Sequence, residues 1–241
     1  MVGEVLGEAF GLYRRHVGHF LAIALAVYAV VALLNLLFVL LLGWFGLILS
    51  AIVSLVGLYL VQGAVTVAVQ DVRDGRADLS ISETLDRVTP HLTTLALAGL
   101  LAGIAITFGF ILLIVPGLFL LTIWSLIVPT IVLEGKSAGE SFGRSRELVK
   151  GNGWSVFGVI VITIGAVIVA SIIVSLLTFW LPDGLDEFAR SLISNTVVVP
   201  FMACAWTLMY FALVQGRSAA PAGVPEAYSP PPPPSDGPTY R

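Results

Sequence analysis

The sequence is short of charge. Asp, Glu, Lys and Arg supply 11% of its 241 residues, against 58% hydrophobic, and the mean hydropathy is +1.00. Soluble domains carry roughly 25% charged residues to cover their surfaces. A chain with less than half of that must use lipid as the solvent for most of its length. A basic excess is missing too: 12 Lys and Arg stand against 15 Asp and Glu, for a net charge of -3. Nothing is left over to neutralise phosphates, so nucleic acid is not expected as a partner. The single cysteine, Cys204, lies in an apolar run. That excludes an intramolecular disulfide and a cysteine metal cluster, and leaves a small core side chain. A cleavable leader is not expected either. Glu4, Glu8, Arg14 and Arg15 mix both signs ahead of an apolar run too long for a signal core, so the first hydrophobic helix should stay in the membrane.

What the chain does have is long runs without Asp, Glu, Lys or Arg. The first extends from Arg15 to Asp71 and holds two spans of ~20 residues each. Its break falls at Gly43-Trp44-Phe45-Gly46, where glycines permit a tight turn and aromatics suit the lipid–water boundary. The second, Val88 to Glu134, is interrupted at Pro116-Gly117, a pair that starts turns and stops helices. A third pair, Trp154 to Leu181 and Phe188 to Gln215, is separated by Pro182-Asp183-Gly184. The runs are continuous rather than alternating, so barrel strands are excluded. The fold class expected is an all-α integral membrane protein whose six transmembrane helices form three helical hairpins, each preceded by a short amphipathic interfacial helix. Arg14, Arg15, Arg73, Arg76, Arg87, Lys136, Arg144, Arg146, Lys150, Arg217 and Arg241 all fall on one side of such a topology, and only Arg190 on the other. The positive-inside bias puts both termini in the cytoplasm.

The hairpin unit recurs. With Glu8, Glu83 and Glu140 aligned, Leu6, Ile81 and Ala138 precede by two residues, and Phe10, Leu85 and Phe142 follow by two. Tyr13, Val88 and Ser145, then Val17, Leu92 and Val149, extend the same helical face. Ser80-x-x-Glu83 and Ser137-x-x-Glu140 read as capping boxes. Glu83 with Arg87, and Glu140 with Arg144, have favourable i, i+4 spacing. The domain expected is 1–217, with parallel repeats at 3–75, 80–135 and 137–217. From Ser218 to Arg241 Pro, Ala, Gly and Ser dominate, with five prolines at 230–234. A disordered cytoplasmic tail, extended at its prolines, is the expectation.

Convergent chemistry is scarce. His16 and His19 share a helical face but find no third ligand at metal spacing, and His91 occupies the repeat position of His16. No cofactor is expected. The spans hold no ionisable residue of the kind proton-coupled carriers place at mid-membrane. Their notable polar residues are Asn35, Gln62, Trp124 and Asn195, read as inter-helix partners or, alternatively, as the lining of a solute path. Arg144, Arg146, Lys150 and Trp154 are the interfacial residues placed to meet lipid headgroups or a protein partner. No phosphate-cradling loop, nucleophile elbow or carboxylate pair occurs, so no catalytic residue is expected.

Pro116-Gly117, Trp124-Ser125, Pro129, Glu134-Gly135, Glu140-Ser141, Arg144-Ser145, Leu148-Val149, Lys150-Gly151, Trp154 and Val156-Phe157-Gly158 lie within about 45 residues. This stretch resembles a family of bacterial and archaeal membrane proteins named for the membrane domain of glycerophosphoryl diester phosphodiesterases. The resemblance implies a multi-helical, non-catalytic module in a bacterial or archaeal cell membrane. The phosphodiesterase activity belongs to a separate barrel domain, which is not expected in a chain filled by six spans and a tail. The expected role is thus non-enzymatic: a membrane scaffold, or a module meeting lipids or protein partners through its amphipathic helices or Pro-rich tail. The alternative is a transporter or channel for an apolar or lipid-like solute.

Overall fold

The computed structural model describes residues 1–75, 79–180 and 185–219, the side chains of 185–189, 191 and 217–219 excepted. The expected disordered tail lies outside these residues but for its first two, which end the last helix. Among the described residues there is no strand. The helices are α1 (Val2–Arg15), α2 (Val17–Leu42), α3 (Trp44–Arg73), α4 (Ile81–Val88), α5 (Leu92–Leu112), α6 (Ile114–Ile123), α7 (Ile127–Glu134), α8 (Ala138–Val149), α9 (Gly153–Thr178) and α10 (Leu185–Ala219). Among the described residues six helical stretches are long and apolar enough to cross a membrane: α2, α3, α4 with α5, α6 with α7, α9, and Leu192–Gly216 of α10.

Burial is uneven along these helices, and that positions the site. Phe20, Ile23, Ala24 and Val27 of α2 join Val61, Ala64, Val65 and Val69 of α3 and Ala203, Cys204, Leu208 and Met209 of α10 in one core. All lie in the half of their helices away from the Gly43 turn. Toward that turn, and toward the α5–α6 and α9 ends, large apolar side chains are exposed, among them Leu33, Leu40, Leu41, Ile111, Leu112, Leu176 and Leu177. Helices apolar on every face fit lipid rather than water. Aromatic pairs mark the extremities: Trp44 stacks on Phe45 at 3.8 Å, Phe179 meets Trp180 edge-on, and Trp154 meets Phe157 at the start of α9. From Trp154 to Trp180 is about 39 Å at 1.5 Å per residue, close to the distance between the two interfacial belts of a bilayer.

The first turn falls where the glycines predict it. Gly43 adopts φ 56°, a left-handed conformation that ends α2 and starts α3. At Gly46 a Cβ would overlap the Phe38 carbonyl, so the close return of α3 past α2 requires glycine there. The second turn is displaced from its expected place at Pro116-Gly117. The chain breaks at Leu113, in extended conformation, and Pro116 sits in the first turn of α6, where its missing N–H costs nothing. Gly117 instead lets α6 approach α5 closely at Gly109. The third expected break, Pro182-Asp183-Gly184, lies outside the described residues.

An interruption that the sequence did not predict divides the fourth span at Trp124–Leu126, between α6 and α7. Ser145 of α8 repairs it: its hydroxyl donates to the Ile123 carbonyl (2.7 Å) and accepts from the Leu126 N–H (3.2 Å). Freed backbone groups inside a membrane protein need such partners. The buried face of the short helices is also rotated by about one residue from its expected position. Its centre is Ala9, Thr84 and Ser141, all fully buried, while Phe10 is exposed. Small residues win these positions because the short helices sit tightly on their neighbours: α4 on α3, α8 on α7 and α5, and α1 on α10 and α9.

Candidate functional site

Along α2, Tyr28, Val31, Asn35 and Val39 recur at steps of three and four residues and so share a face. Below them, near Val31, α2 is pressed against α3 at Gly57, where a Cβ would overlap Val31. Above that contact Ser50, Ala51 and Ser54 are small, and α10 contributes Leu192 and Asn195. Small side chains on one wall leave space. The result is a cavity of about 800 Å³ bounded by α2, α3 and α10. It falls in the size range of small-molecule pockets, roughly 300–1,000 Å³. Two rim residues, Leu36 and Val39, are 53% and 41% exposed, so the cavity opens sideways on the apolar flank of α2.

Its polar groups are few. Asn35 Nδ2 donates to Ser54 Oγ at 2.9 Å, and the Ser50 hydroxyl donates weakly to the Asn35 carbonyl at 3.5 Å. The Asn35 Oδ1 and the Tyr28 hydroxyl are buried without a hydrogen-bond partner. Among the described residues no Asp, Glu, Lys, Arg or His lines the cavity. Of the four intramembrane polar candidates, Asn35 and Asn195 therefore come together here. Gln62 and Trp124 do not. Gln62 is buried lower in α3, where its backbone carbonyl accepts from Thr66, whose hydroxyl lies 3.0 Å from that of Thr207. Trp124 packs edge-on against Phe142 of α8, with ring centroids 4.9 Å apart. Sequence reasoning missed Tyr28, Ser50 and Ser54. The signal for Tyr28 was its i, i+7 relation to Asn35; the serines carry none, being common in spans.

The interfacial candidates separate as well. Arg146 and Lys150 are exposed, and Trp154 is 87% exposed. Arg144 is half-buried and committed to protein: its Nε donates to both oxygens of Glu134 (2.9 and 3.0 Å), and its guanidinium also pairs with Glu147 (3.5 Å). The Tyr210 hydroxyl donates to the same Glu134 at 2.9 Å, so one carboxylate joins α7, α8 and α10. Burial is the largest single influence and works against the Arg144 charge, but the hydrogen bonds to Glu134 and Glu147 and the Glu134 charge together outweigh it and raise its pKa. The expected Glu140–Arg144 pairing is superseded, because Glu140 turns back to cap α8. The Ser137 backbone N–H donates to Glu140 (3.0 Å) and its hydroxyl does the same (2.6 Å). Ser80 and Glu83 repeat the arrangement at α4. In both boxes the serine hydroxyl, then the backbone bond, holds the exposed glutamate below the usual carboxylate range.

On the first short helix, Glu8 pairs with Arg73 at 3.0 Å, and the Arg73 guanidinium lies 4.7 Å over the Phe211 ring. Tyr13 donates to the Val197 carbonyl (2.8 Å), three residues before Pro200 in α10. Burial pushes the Tyr13 phenol up to about 12, so it remains a donor at neutral pH. Both His16 and His19 rest edge-on against Phe20. Among the described residues no group of three His, Cys, Asp or Glu converges.

Six apolar helices, lipid-compatible surfaces and an intramembrane cavity define a multi-pass α-helical membrane protein. Within that class, residues 9–213 match the family described as a domain of unknown function, DUF7847, and the chain belongs to it. No curated protein and no solved structure matches the chain.

Proposed function

We propose that this protein is a non-enzymatic membrane module that holds a lipid-like solute in the cavity between α2, α3 and α10. The observation that carries the proposal is the cavity itself: mostly apolar, opening sideways at Leu36 and Val39, with Asn35 and Asn195 as its polar guides. Lipid-exposed flanks and a lateral opening match a ligand that arrives through the bilayer. The half below it, from Val27 and Val61 to Ala203 and Leu208, is packed into one core. That supports a holding or presenting role over an open channel. A transporter remains the second reading, since the same cavity suits one state of an alternating carrier.

The proposed setting is the cell membrane of a bacterium or archaeon, with both termini and the basic connections in the cytoplasm. The six spans are three helical hairpins, each introduced by a short amphipathic helix at the inner interface, where Arg146, Lys150 and Trp154 meet headgroups or a protein partner. Kinship with the glycerophosphoryl diester phosphodiesterase membrane domain belongs to the same proposal; it rests on the motif residues between Pro116 and Gly158 and brings no activity with it.

The test is lipid analysis of the purified full-length chain. We expect wild type to retain a lipid-like species in near-stoichiometric amount and Ala51→Trp, which fills the cavity, to lose it at unchanged thermal stability. Identical lipid content in both would overturn the proposal.

A further inference from the structure

Resting on the lipid-binding reading above, we propose that the cavity selects an uncharged lipid bearing a free hydroxyl, of the diacylglycerol type, over anionic phospholipids. Two buried polar atoms at its wall lack partners, the Tyr28 hydroxyl and the Asn35 Oδ1. Tyr28 itself is 6% exposed. Groups so placed, far from water, are costly to leave unpaired, and a ligand group that satisfies them is favoured by that cost. Asn35 already spends its Nδ2 on Ser54, so its oxygen asks for a donor. Were the amide turned over, Ser54 would donate to the oxygen and an N–H would ask for an acceptor. A hydroxyl is the small group that answers either demand, and it can bond the Tyr28 phenol as well. A ketone or ester carbonyl answers only one of them.

Charge is the second discriminator. A phosphate entering this cavity would meet no cationic side chain among the described residues that line it. An unpaired anion in a low-dielectric site is strongly disfavoured. The rest of the lining, including Leu36, Val39, Leu55 and Leu58, suits hydrocarbon, and the exposed rim lets acyl chains leave sideways into the bilayer. Headgroup at Asn35 and tails past Leu36 is the orientation that satisfies both ends.

The experiment uses the full chain in phosphatidylcholine vesicles doped with a diacylglycerol that carries a photoreactive acyl chain, or with a phosphatidylglycerol carrying the same chain. Crosslinks are mapped by peptide mass spectrometry. We expect the diacylglycerol probe to label residues 31–39 of α2, the phosphatidylglycerol probe to label them no more than the Ala51→Trp background, and Asn35→Leu to weaken diacylglycerol labelling roughly threefold to tenfold, as the loss of one hydrogen bond implies. Equal labelling by both probes, which each carry a free hydroxyl and differ in charge, overturns the discrimination against anionic lipid; undiminished labelling of folded Asn35→Leu overturns the hydroxyl recognition; either result leaves lipid binding standing. Labelling by neither probe above the Ala51→Trp background overturns both. Should Asn35→Leu fail to fold, a diacylglycerol probe with its free hydroxyl methylated decides the same point on wild type: weaker labelling than the parent probe is expected, and equal labelling overturns the hydroxyl recognition.

Discussion

Glu134 concentrates the polar bonding of the basic end in one carboxylate. It takes two bonds from Arg144 and one from Tyr210, with side-chain exposures of 17% for Glu134 and 31% for Arg144. Removing Arg144 would strand a largely buried carboxylate. Because the pair is part-exposed, we expect Arg144→Ala to cost about 1–2 kcal/mol, below the range for fully buried pairs, and Tyr210→Phe about 1 kcal/mol. Thermal unfolding in detergent reads both; an unchanged midpoint for Arg144→Ala would show that the pair contributes nothing. Arg146→Glu, at an exposed site, is expected to leave the midpoint in place. Sequence spacing pointed Arg144 at Glu140, four residues away. It could not rank that partner below Glu134, ten residues back across a turn, because the competition is decided by Ser137 claiming Glu140. Asn35 and Asn195 were legible as polar residues in apolar runs. That they line one cavity, while Gln62 and Trp124 lie elsewhere, depends on helix rotation, which hydropathy does not encode when every face is apolar.

Single helices show both what periodicity reveals and what it hides. The two capping boxes were readable from Ser-x-x-Glu alone, since their bonding is local. Ser137→Ala should loosen the first turn of α8 by about 1 kcal/mol, seen as faster amide exchange at residues 139–141. Their pH dependence follows from the lowered folded-state pKa of Glu83 and Glu140 against the ordinary 4.5. A depressed carboxyl contributes stability above the unfolded value and loses it as pH falls through the folded value. Protection at the starts of α4 and α8, taken relative to the intrinsic exchange rate at each pH, should therefore be flat above about pH 5 and fall below pH 4.5; flat protection down to pH 3 would contradict it. The break at Trp124–Leu126 was hidden. Nothing in Trp-Ser-Leu-Ile disfavours a helix, and what stabilises the break is a serine some twenty residues later. Ser145→Ala leaves Ile123 and Leu126 backbone groups unmet, and we expect a loss of about 1–3 kcal/mol. Neutrality would mean that the break stands without Ser145.

At the scale of the whole molecule the short helices set the order. They lean on the spans: α4 on α3, α8 on α5 and α7, and α1 on α9 and α10. Chain start and last span are thereby joined through Val5, Ala9 and Tyr13. The six spans and the Gly43 turn could be read in advance because lipid imposes length and apolarity directly on sequence. The closure by α1 could not, since it depends on which pair of spans is left uncovered once the others have packed.

Placement of the chain in the bilayer is the claim on which cavity, interface and lipid reading all stand. Single cysteines at Trp44 and at Arg146 test it, with Cys204 replaced by serine and a membrane-impermeant thiol reagent applied to intact cells. Both native side chains are exposed, at opposite ends of the helices. The expected result is labelling at position 44 in intact cells, and at position 146 only after the membrane is opened. Labelling of position 146 in intact cells, with position 44 protected, would contradict it.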